Sequence, residues 1–238
     1  MSTLNRKDLT YAHLAKVIDH SLLRPELTDQ DVIDGCLLAA RYHTATVCVK
    51  PCHVQLAVSL LQATDVKVST VIGFPHGGHL TAIKMAESRA AVDDGAVEPD
   101  MVVNIGALRS NQTEYVREDI QAVCETAHAR GAKVKLILEN AYLSDEQKIL
   151  GCQLSEKAGA DWVKTSTGFA PSDATLDNLH LMRRHLSPHV QLKAAGGIRT
   201  LDAILAVIDA GCTHCGATAT ASILDEYEMR CKASSLAA

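Results

Sequence analysis

The sequence predicts a single-domain (β/α)8 (TIM) barrel, an α/β fold, on three observations. Short apolar runs alternate with segments of helix length along all 238 residues. Gly95, Gly131, Gly159 and Gly211 each stand just before the next apolar run, where a helix commonly ends in the left-handed conformation. Parallel strands need helical crossovers, and eight such units occupy about 250 residues in this barrel. A doubly wound open sheet is the alternative, but no G-x-G-x-x-G motif follows the first run.

Eight apolar runs are expected to form the parallel strands. In chain order they are residues 16–19, 45–49, 66–73, 100–105, 133–138, 161–165, 190–194 and 213–216. The intervening segments open with helix-start signals, among them Thr28-Asp-Gln-Asp31, Thr113-Glu114 and the capping-box sequence Ser144-Asp-Glu-Gln147. We expect one domain over residues 1–238, with a tail that frays from about Asp225.

The composition excludes several classes of protein. Hydrophobic residues make up 47% of the chain and charged residues 21%, which is typical of a folded core. The net charge of -5 comes without a basic block, so we expect no nucleic-acid partner. The N-terminus lacks the apolar segment of a signal peptide and no run has the length of a membrane span. We therefore expect a cytoplasmic protein with no membrane partner, and the sequence leaves a homo-oligomer open.

The cysteines and histidines do not predict a metal site. The eight cysteines are too sparse and irregular for a disulfide framework. Cys212 and Cys215 have the spacing of half a zinc site, but no second pair completes it, and buried thiols are favoured. His76 and His79 flank two glycines without a carboxylate partner. A metal-dependent reaction that uses this histidine pair is a weaker alternative.

Ionisable side chains interrupt four of the predicted strands, at Asp100, Lys135, Lys164 and Lys193. Charged groups are rarely buried unless they are paired. Lys164 and Lys193 fall on the sixth and seventh strands just before loops, and neighbouring strands lie about 4.8 Å apart. If both side chains point inward, burial and like charge lower the pKa of at least one amine. The alternative for any single lysine is an outward side chain whose amine reaches solvent.

A neutral amine in this position favours carbonyl chemistry. It can attack a carbonyl carbon to form a Schiff base, whose iminium stabilises an adjacent carbanion as an enamine. Asp100 on the fourth strand is expected to reach across the barrel mouth and carry protons, directly or through a water. Lys164, Lys193 and Asp100 together predict carbon–carbon bond chemistry without a metal.

Two glycine-rich turns follow the last two predicted strands, Ala195-Gly-Gly-Ile198 and Gly216-Ala-Thr-Ala-Thr220. TIM barrels frequently bind phosphate with these two loops and a helix N-terminus. We expect a phosphorylated substrate there, and two simple tight turns are the alternative.

Over nearly the whole chain, these motifs resemble the deoxyribose-phosphate aldolase family of class I aldolases. The resemblance is carried by residues 18–25, 46–49, 71–75, 100–108, 163–169 and 193–199. Its most specific parts are the Lys-Thr-Ser-Thr-Gly run from Lys164 and the Lys-x-x-Gly-Gly-Ile-Arg run from Lys193. The resemblance implies reversible cleavage of 2-deoxy-D-ribose 5-phosphate to acetaldehyde and D-glyceraldehyde 3-phosphate, with no metal or organic cofactor.

The same resemblance implies roles for individual residues. Lys164 would form the Schiff base with acetaldehyde, Lys193 would lower its pKa, and Asp100 would relay protons. Glu139 would tune the centre. The implied substrate-binding positions are Asp19, Ser21, Cys48, Lys135, Thr167, Gly196, Gly197, Gly216 and Thr218.

The chain departs from the family pattern around its predicted substrate rim. Residues 214–220 read His-Cys-Gly-Ala-Thr-Ala-Thr, without the usual Arg, Ser and Gly. Lys50, His76 and His79 are also unusual, and one hypothesis is that they bind an anionic or differently hydroxylated acceptor; neutral drift is the other.

Alternative functions stay open at this point. One is a Schiff-base aldolase of the same fold that acts on a non-phosphorylated or differently substituted sugar or aldehyde, including a transaldolase-like or keto-acid aldolase. Another is a non-catalytic barrel that binds a sugar phosphate.

Overall fold

The computed structural model describes residues 9–171 and 174–236 and confirms the predicted barrel. Eight parallel strands close in chain order, and the last strand pairs with the first. The strands are β1 Ile18–Leu22, β2 Thr46–Val49, β3 Lys67–Ile72, β4 Glu98–Val102, β5 Lys135–Ile137, β6 Trp162–Lys164, β7 Gln191–Ala195 and β8 His214–Ala217.

Helices surround the barrel and connect its strands. They are α1 Tyr11–Ala15, α2 Asp29–Tyr42, α3 Val54–Leu61, α4 Thr81–Asp93, α5 Ile105–Arg109, α6 Thr113–His128, α7 Asp145–Lys157, α8 Leu176–Arg184, α9 Leu201–Asp209 and α10 Thr220–Leu236. Two 3₁₀ turns, Pro51–His53 and Asn140–Tyr142, precede α3 and α7. Nowhere in the part of the chain described here is a helix both long and apolar enough to cross a membrane.

The helix-start and helix-stop signals in the sequence are confirmed. Thr28 and Ser144 form capping boxes with the side chains of Asp31 and Gln147, which satisfies backbone N–H groups in the first turn. The four glycines that precede strands all have positive φ angles, between 78° and 105°. These local signals therefore define where most crossovers begin and end.

Most predicted strand boundaries differ from the observed ones by one to three residues, and two of these differences have clear local reasons. The fourth strand ends at Val102, because the Asn104 side chain accepts a hydrogen bond from the Ala107 N–H (3.0 Å) and caps α5. The first strand begins at Ile18 rather than at residue 16. The Lys16 ammonium group instead donates to the Thr44 carbonyl at 2.9 Å, outside the strand.

The C-terminal segment also differs from the prediction. We expected fraying from about Asp225, but α10 remains helical to Leu236. The Tyr227 hydroxyl donates to the Leu9 carbonyl, and Arg230 forms an ion pair with Asp202 on α9 at 2.6 Å. These contacts hold the last helix against the N-terminal segment and its neighbour.

The strands separate an apolar layer from a charged barrel interior. Leu136, Val163 and Leu192 are fully buried in the large apolar core that includes helix residues. The residues that follow or precede them in the strands point to the other face, because side chains alternate along a strand. The apolar core thus lies between strands and helices, and it leaves the interior to the ionisable groups.

One ion pair lies within the helical layer. Lys84 on α4 and Asp119 on α6 are both fully buried, and their charged atoms are 2.6 Å apart. The Lys84 ammonium group also donates to the Val102 carbonyl at 3.1 Å, and the Thr81 hydroxyl donates to Asp119 at 2.8 Å. This pair links two helices to the end of β4.

We expect Lys84→Met to lower the free energy of unfolding by about 3–5 kcal/mol, because Asp119 would become a buried carboxylate without its cation. Urea denaturation followed by circular dichroism measures this. The double variant Lys84→Met/Asp119→Leu should lose less stability than the single variant, and Lys232→Met, at an exposed ion pair, should change little. A wild-type denaturation midpoint for Lys84→Met would contradict this role.

Candidate active site

A cavity of about 500 Å³ opens at the C-terminal mouth of the barrel. Loops that follow β1, β6, β7 and β8 form most of its wall. Ten of the residues predicted to form the site line it: Asp19, Ser21, Cys48, Lys164, Thr167, Lys193, Gly196, Gly197, Gly216 and Thr218. The other two, Asp100 and Lys135, are fully buried beneath its floor.

One carboxylate oxygen organises the floor of the cavity. Oδ2 of Asp100 accepts a hydrogen bond from Lys164 Nζ at 2.7 Å and another from Lys193 Nζ at 2.8 Å. Lys164 is the last residue of β6, and it lies opposite Lys193 in the register of β6 and β7. The Asp100 side chain extends from β4 across the barrel interior and bonds directly to both amines. The two amines therefore face the same small space.

The environment divides the two lysines into different protonation states. Burial lowers the pKa of Lys164, and the neighbouring Lys193 charge lowers it further, against the attraction of Asp100. Burial also opposes the charge of Lys193, but the two carboxylates of Asp100 and Asp19 outweigh it and raise its pKa well above the ordinary value. Lys164 is thus the amine that loses its proton more readily.

The Asp100 carboxyl stays ionised although it is completely buried. Burial favours its neutral form, but the charges of Lys135, Lys164 and Lys193 together hold its pKa well below the usual range. Lys135 Nζ lies 3.3 Å from Asp100 Oδ1. Asp100 is therefore an anion at the centre of three amines, and its direct contact with Lys164 and Lys193 places it on the path of any proton that moves between them.

A second layer of charges lies below this centre. Asp19 Oδ2 is 2.5 Å from Lys193 Nζ and 3.6 Å from Lys135 Nζ. The carboxylate of Glu98 is 2.5 Å from Lys135 Nζ. The family resemblance implied that Lys135 binds substrate, but Lys135 does not line the cavity. Its ammonium group pairs instead with the carboxylates of Asp19 and Glu98. Its contact with Asp100 makes it a positioning residue.

The loop after β6 is tied to the loop after β5. Oε2 of Glu139 accepts hydrogen bonds from the Thr167 N–H (3.1 Å) and from the Thr167 hydroxyl. Glu139 has a left-handed backbone (φ 58°), and this turns its side chain toward the cavity loop. The Phe169 N–H in turn donates to the Thr167 hydroxyl oxygen at 3.1 Å. These bonds fix the wall of the cavity beside Lys164.

The rim opposite this wall is made of backbone and cationic side chains. Gly196 and Gly197 have φ angles of 95° and 76°, which only glycine adopts without strain. They line the cavity together with Thr218, Arg199 and Arg24. Arg24 is already paired with Glu26, which lines the same cavity, so an anionic end of a substrate would meet backbone, a hydroxyl and the positive charge of Arg199 at this rim.

The structure places Lys50, His76 and His79 outside the lining of the cavity, so it gives no support to the hypothesis that they bind an anionic acceptor. Lys50 Nζ donates to the Leu27 carbonyl at 3.0 Å and to the Pro25 carbonyl at 3.4 Å. His76 and His79 are exposed and do not line the cavity. Lys50 instead holds the loop after β1 in place.

His214, which stands where the family usually has Arg, lies far from the rim. It begins β8, at the N-terminal end of the barrel, with 13% of its side chain exposed. Asp19, Glu98 and His214 place one ligand atom each within 4.8 Å of one another, the one set with such spacing in the described chain. The ammonium group of Lys135 already forms ion pairs with both carboxylates of this set. Cys212 and Cys215 are buried free thiols, as predicted.

Sequence reasoning missed several residues of the site. Arg24, Glu26, Arg199 and Phe169 line the cavity from loops, where no periodicity marks a side chain's direction. Glu98 had a usable signal: it stands two residues before Asp100 on β4, so both point to the same face of the strand.

Comparisons with known proteins agree with this geometry. Residues 13–226 match the family model described as DeoC/LacD family aldolase. A deoxyribose-phosphate aldolase of Rhodopirellula baltica is 48% identical, over 92% of this chain and 91% of the relative. One from Thermococcus gammatolerans is 47% identical, over 89% of this chain and 95% of the relative. The solved structure of a deoxyribose phosphate aldolase from Aeropyrum pernix, described as tetrameric, superposes with a TM-score of 0.86 at 29% identity, covering 92% of each chain. The chain belongs to the DeoC/LacD family of aldolases.

Proposed function

We propose that the protein cleaves 2-deoxy-D-ribose 5-phosphate reversibly to acetaldehyde and D-glyceraldehyde 3-phosphate through a Schiff base on Lys164. The observation that carries this proposal is the pair of amines that share Oδ2 of Asp100 at 2.7 and 2.8 Å beneath a cavity. Relatives at 47–48% identity bear the name deoxyribose-phosphate aldolase, and they support this substrate.

Lys164 is the nucleophile in this proposal. Its amine is the one with the lowered pKa and it lines the cavity, whereas Asp100 lies beneath. The neutral amine attacks the carbonyl carbon, and loss of water from the carbinolamine gives the iminium. The hydroxyl on the β-carbon gives up its proton, the bond between the α- and β-carbons breaks with its electrons moving toward the iminium, and the acceptor aldehyde is released. The enamine left on Lys164 takes a proton at carbon, and water hydrolyses the resulting iminium to acetaldehyde and the free amine.

Asp100 and Lys193 handle the protons. Lys193 stays protonated, and its charge next to Lys164 favours the neutral form of that nucleophile. Asp100 touches both amines, so it can take a proton from one and return it to the carbinolamine hydroxyl or to the enamine carbon. Ser21 lines the cavity and is placed to contact substrate hydroxyls, whereas the carboxylate oxygens of Asp19, which also lines the cavity, are buried against Lys193.

The 5-phosphate is assigned to the rim made by Gly196, Gly197 and Thr218. The residues missing from the family pattern matter less than the sequence suggests. His214 is at the opposite end of the barrel. Thr220 is fully buried and bonded to Nδ1 of His20, outside the cavity. The rim therefore keeps its backbone donors, with Arg199 beside them.

A homo-oligomer and a cytoplasmic location are part of the proposal. The tetramer described for the Aeropyrum pernix relative supports the first, as do Leu80 and Ile83, which leave 72% and 48% of their surface exposed. All eight cysteines are free, which is typical of a reducing compartment.

Lys164→Met should abolish retro-aldol turnover, because no other amine in the cavity has a lowered pKa. Borohydride treatment with acetaldehyde, followed by peptide mass spectrometry, should place an ethyl group on Lys164 of the wild type. Lys157→Met removes an exposed lysine and serves as the control, with unchanged rate and adduct. An adduct on a different lysine would contradict the assignment.

Lys193→Leu should move the acid limb of the kcat/KM profile to higher pH. Removal of the adjacent positive charge raises the pKa of Lys164, so a higher pH is needed to form its neutral amine; we expect a shift of about one pH unit or more, with a lower plateau. Steady-state rates between pH 5 and pH 10 measure it. Full activity with an unmoved limb would show that Lys193 does not tune Lys164.

The rim assignment predicts a preference for the phosphorylated sugar. Two charge-assisted hydrogen bonds would give deoxyribose 5-phosphate a kcat/KM about a hundredfold or more above that of deoxyribose. Gly197→Ala should reduce this ratio, since alanine is strained at φ 76° and the loop would have to shift. A wild-type ratio near one would favour the alternative, an aldolase for non-phosphorylated substrates.

A further inference from the structure

A second cavity, of about 1010 Å³, opens at the N-terminal mouth of the barrel, opposite the substrate. His214 lines this cavity. The same imidazole faces the interior charges: its Nε2 is 3.9 Å from Oδ1 of Asp19 and 3.9 Å from a carboxylate oxygen of Glu98. His214 thus lies between the charged interior and the N-terminal mouth, and the Schiff-base reaction proposed for Lys164 assigns it no role.

Charged contacts lead from the Schiff-base lysine toward this histidine. Lys164 and Lys193 both bond to Asp100, and Lys193 is 2.5 Å from Asp19. The oxygen of Asp19 that faces His214 is buried and has no hydrogen-bond partner in the structure. This oxygen can therefore accept a hydrogen bond from the imidazole. The same Asp19 side chain contacts Lys193, which shares Asp100 with Lys164.

A second branch ends at the same imidazole. Lys135 is 3.3 Å from Asp100 and 2.5 Å from Glu98, whose carboxylate is the one that faces His214. The side chains of His214 and Glu98 are 13% and 16% exposed, whereas Lys135 and Asp100 are fully buried. Water on the N-terminal side therefore reaches His214 and Glu98 first.

Neighbouring donors determine which ring nitrogen carries the proton. Trp162 Nε1–H donates to the Thr213 hydroxyl oxygen at 3.0 Å, so the Thr213 hydroxyl hydrogen is free to point to Nδ1 of His214, 3.4 Å away. Trp162 also holds the ring edge-to-face, with ring centroids 5.0 Å apart. The proton of the neutral imidazole then lies on Nε2, toward the carboxylates, and Nδ1 faces a hydroxyl that lines the cavity. Burial lowers the pKa of His214, which favours this neutral form.

We propose that His214 is the outer end of a proton path that joins the Schiff-base centre to solvent at the N-terminal mouth of the barrel. The proposal rests on the Schiff-base function assigned to Lys164. Asp100, Lys193 and Asp19 are at most 1% exposed, and a substrate bound to Lys164 covers them on the C-terminal side. The path through His214 keeps the protons of these groups in exchange with water at the N-terminal mouth while substrate occupies the C-terminal mouth.

The transfers balance in protons and charge. Nδ1 of His214 takes a proton from the Thr213 hydroxyl as Nε2 gives its proton to Asp19. The Thr213 oxygen regains a proton from a water of the second cavity, which leaves as hydroxide, and this negative charge balances the positive charge that the iminium gains. Asp19 passes a proton to Lys193 as that ammonium group passes one to Asp100, and Asp100 gives its proton to the enamine carbon. Every residue ends with its starting charge. The reverse sequence carries a proton out when the iminium loses one from carbon, and it restores the original ring tautomer.

The distances of 3.9 Å require one small adjustment. A hydrogen bond to a carboxylate spans about 2.9 Å, so a shift of about 1 Å, or one bridging water, completes the contact. The adjoining cavity leaves room for either.

Isotope exchange tests the path. In D2O the wild type replaces the methyl protons of acetaldehyde by deuterium as the enamine forms and is reprotonated, and proton NMR measures the rate. A centre cut off from solvent returns the original proton, so the ratio of exchange to retro-aldol turnover falls. His214→Ala should lower this ratio about tenfold or more, and added imidazole, which fits the space opened beside the cavity, should restore it.

The controls separate this proposal from the function on which it rests. His189→Ala removes a histidine of the same cavity that makes no contact with Asp19 or Glu98 in the structure described, and it should keep the wild-type ratio. Absence of a trapped acetaldehyde adduct on wild-type Lys164 would overturn the Schiff-base function itself. With the adduct present, a wild-type ratio in His214→Ala, or a fall that imidazole does not reverse, would overturn the proton path.

If the His214→Ala protein fails to fold, the more conservative variant Thr213→Val tests the same path. Thr213→Val keeps the imidazole and removes the hydroxyl between Nδ1 and the cavity. It should lower the exchange ratio with little change in the amount of trapped adduct. An unchanged ratio in Thr213→Val would likewise overturn the path.

Discussion

The site depends on a single buried carboxylate. Asp100 has to be an anion in a place where burial favours its neutral form, and it stays ionised because three amines surround it. An isolated charge there would cost several kcal/mol, so the amines and the carboxylate need one another. Two of the amines meet at one oxygen, and this crowding makes their protonation states unequal. The difference between Lys164 and Lys193 is the basis of the proposed chemistry.

The barrel supplies this arrangement by register. Asp100, Lys135, Lys164 and Lys193 are on four successive strands. Asp100 lies opposite Lys135 and Lys164 lies opposite Lys193, whereas Lys164 pairs with Ile137, two residues beyond Lys135 on β5. The apolar faces of the same strands pack on the helices, so the fold is stabilised outside the barrel while its interior carries charge. Most of the buried charge thus lies inside the barrel, and the Lys84–Asp119 pair is a buried ion pair of the helical layer. The lower layer of Asp19 and Glu98 continues the network toward the second mouth.

Much of this could be read from the sequence, for identifiable reasons. The strand runs, capping boxes and glycine stops are local signals, and they predicted the barrel. Lysines inside apolar strands were informative because burial of a charge needs a partner. The sequence did not show in which direction a side chain points or how deep in the barrel it lies. Lys135 and His214 lie below the substrate cavity, and Lys50 donates to backbone carbonyls of the nearby loop after β1. Loop side chains such as Arg24 and Phe169 carry no periodic signal, so their place at the rim required the structure.

The central claim is that the two amines differ in proton affinity although they share Asp100, because Asp19 pairs with Lys193 and the charge of Lys193 acts on Lys164. An NMR titration of the protein labelled at its lysine side chains tests this most directly, with Lys164→Met and Lys193→Met spectra for assignment. The account predicts that Lys164 loses its proton below the ordinary lysine value of 10.5 while Lys193 remains protonated above it. Titration of Lys193 before Lys164, or of both together at the ordinary value, would contradict it.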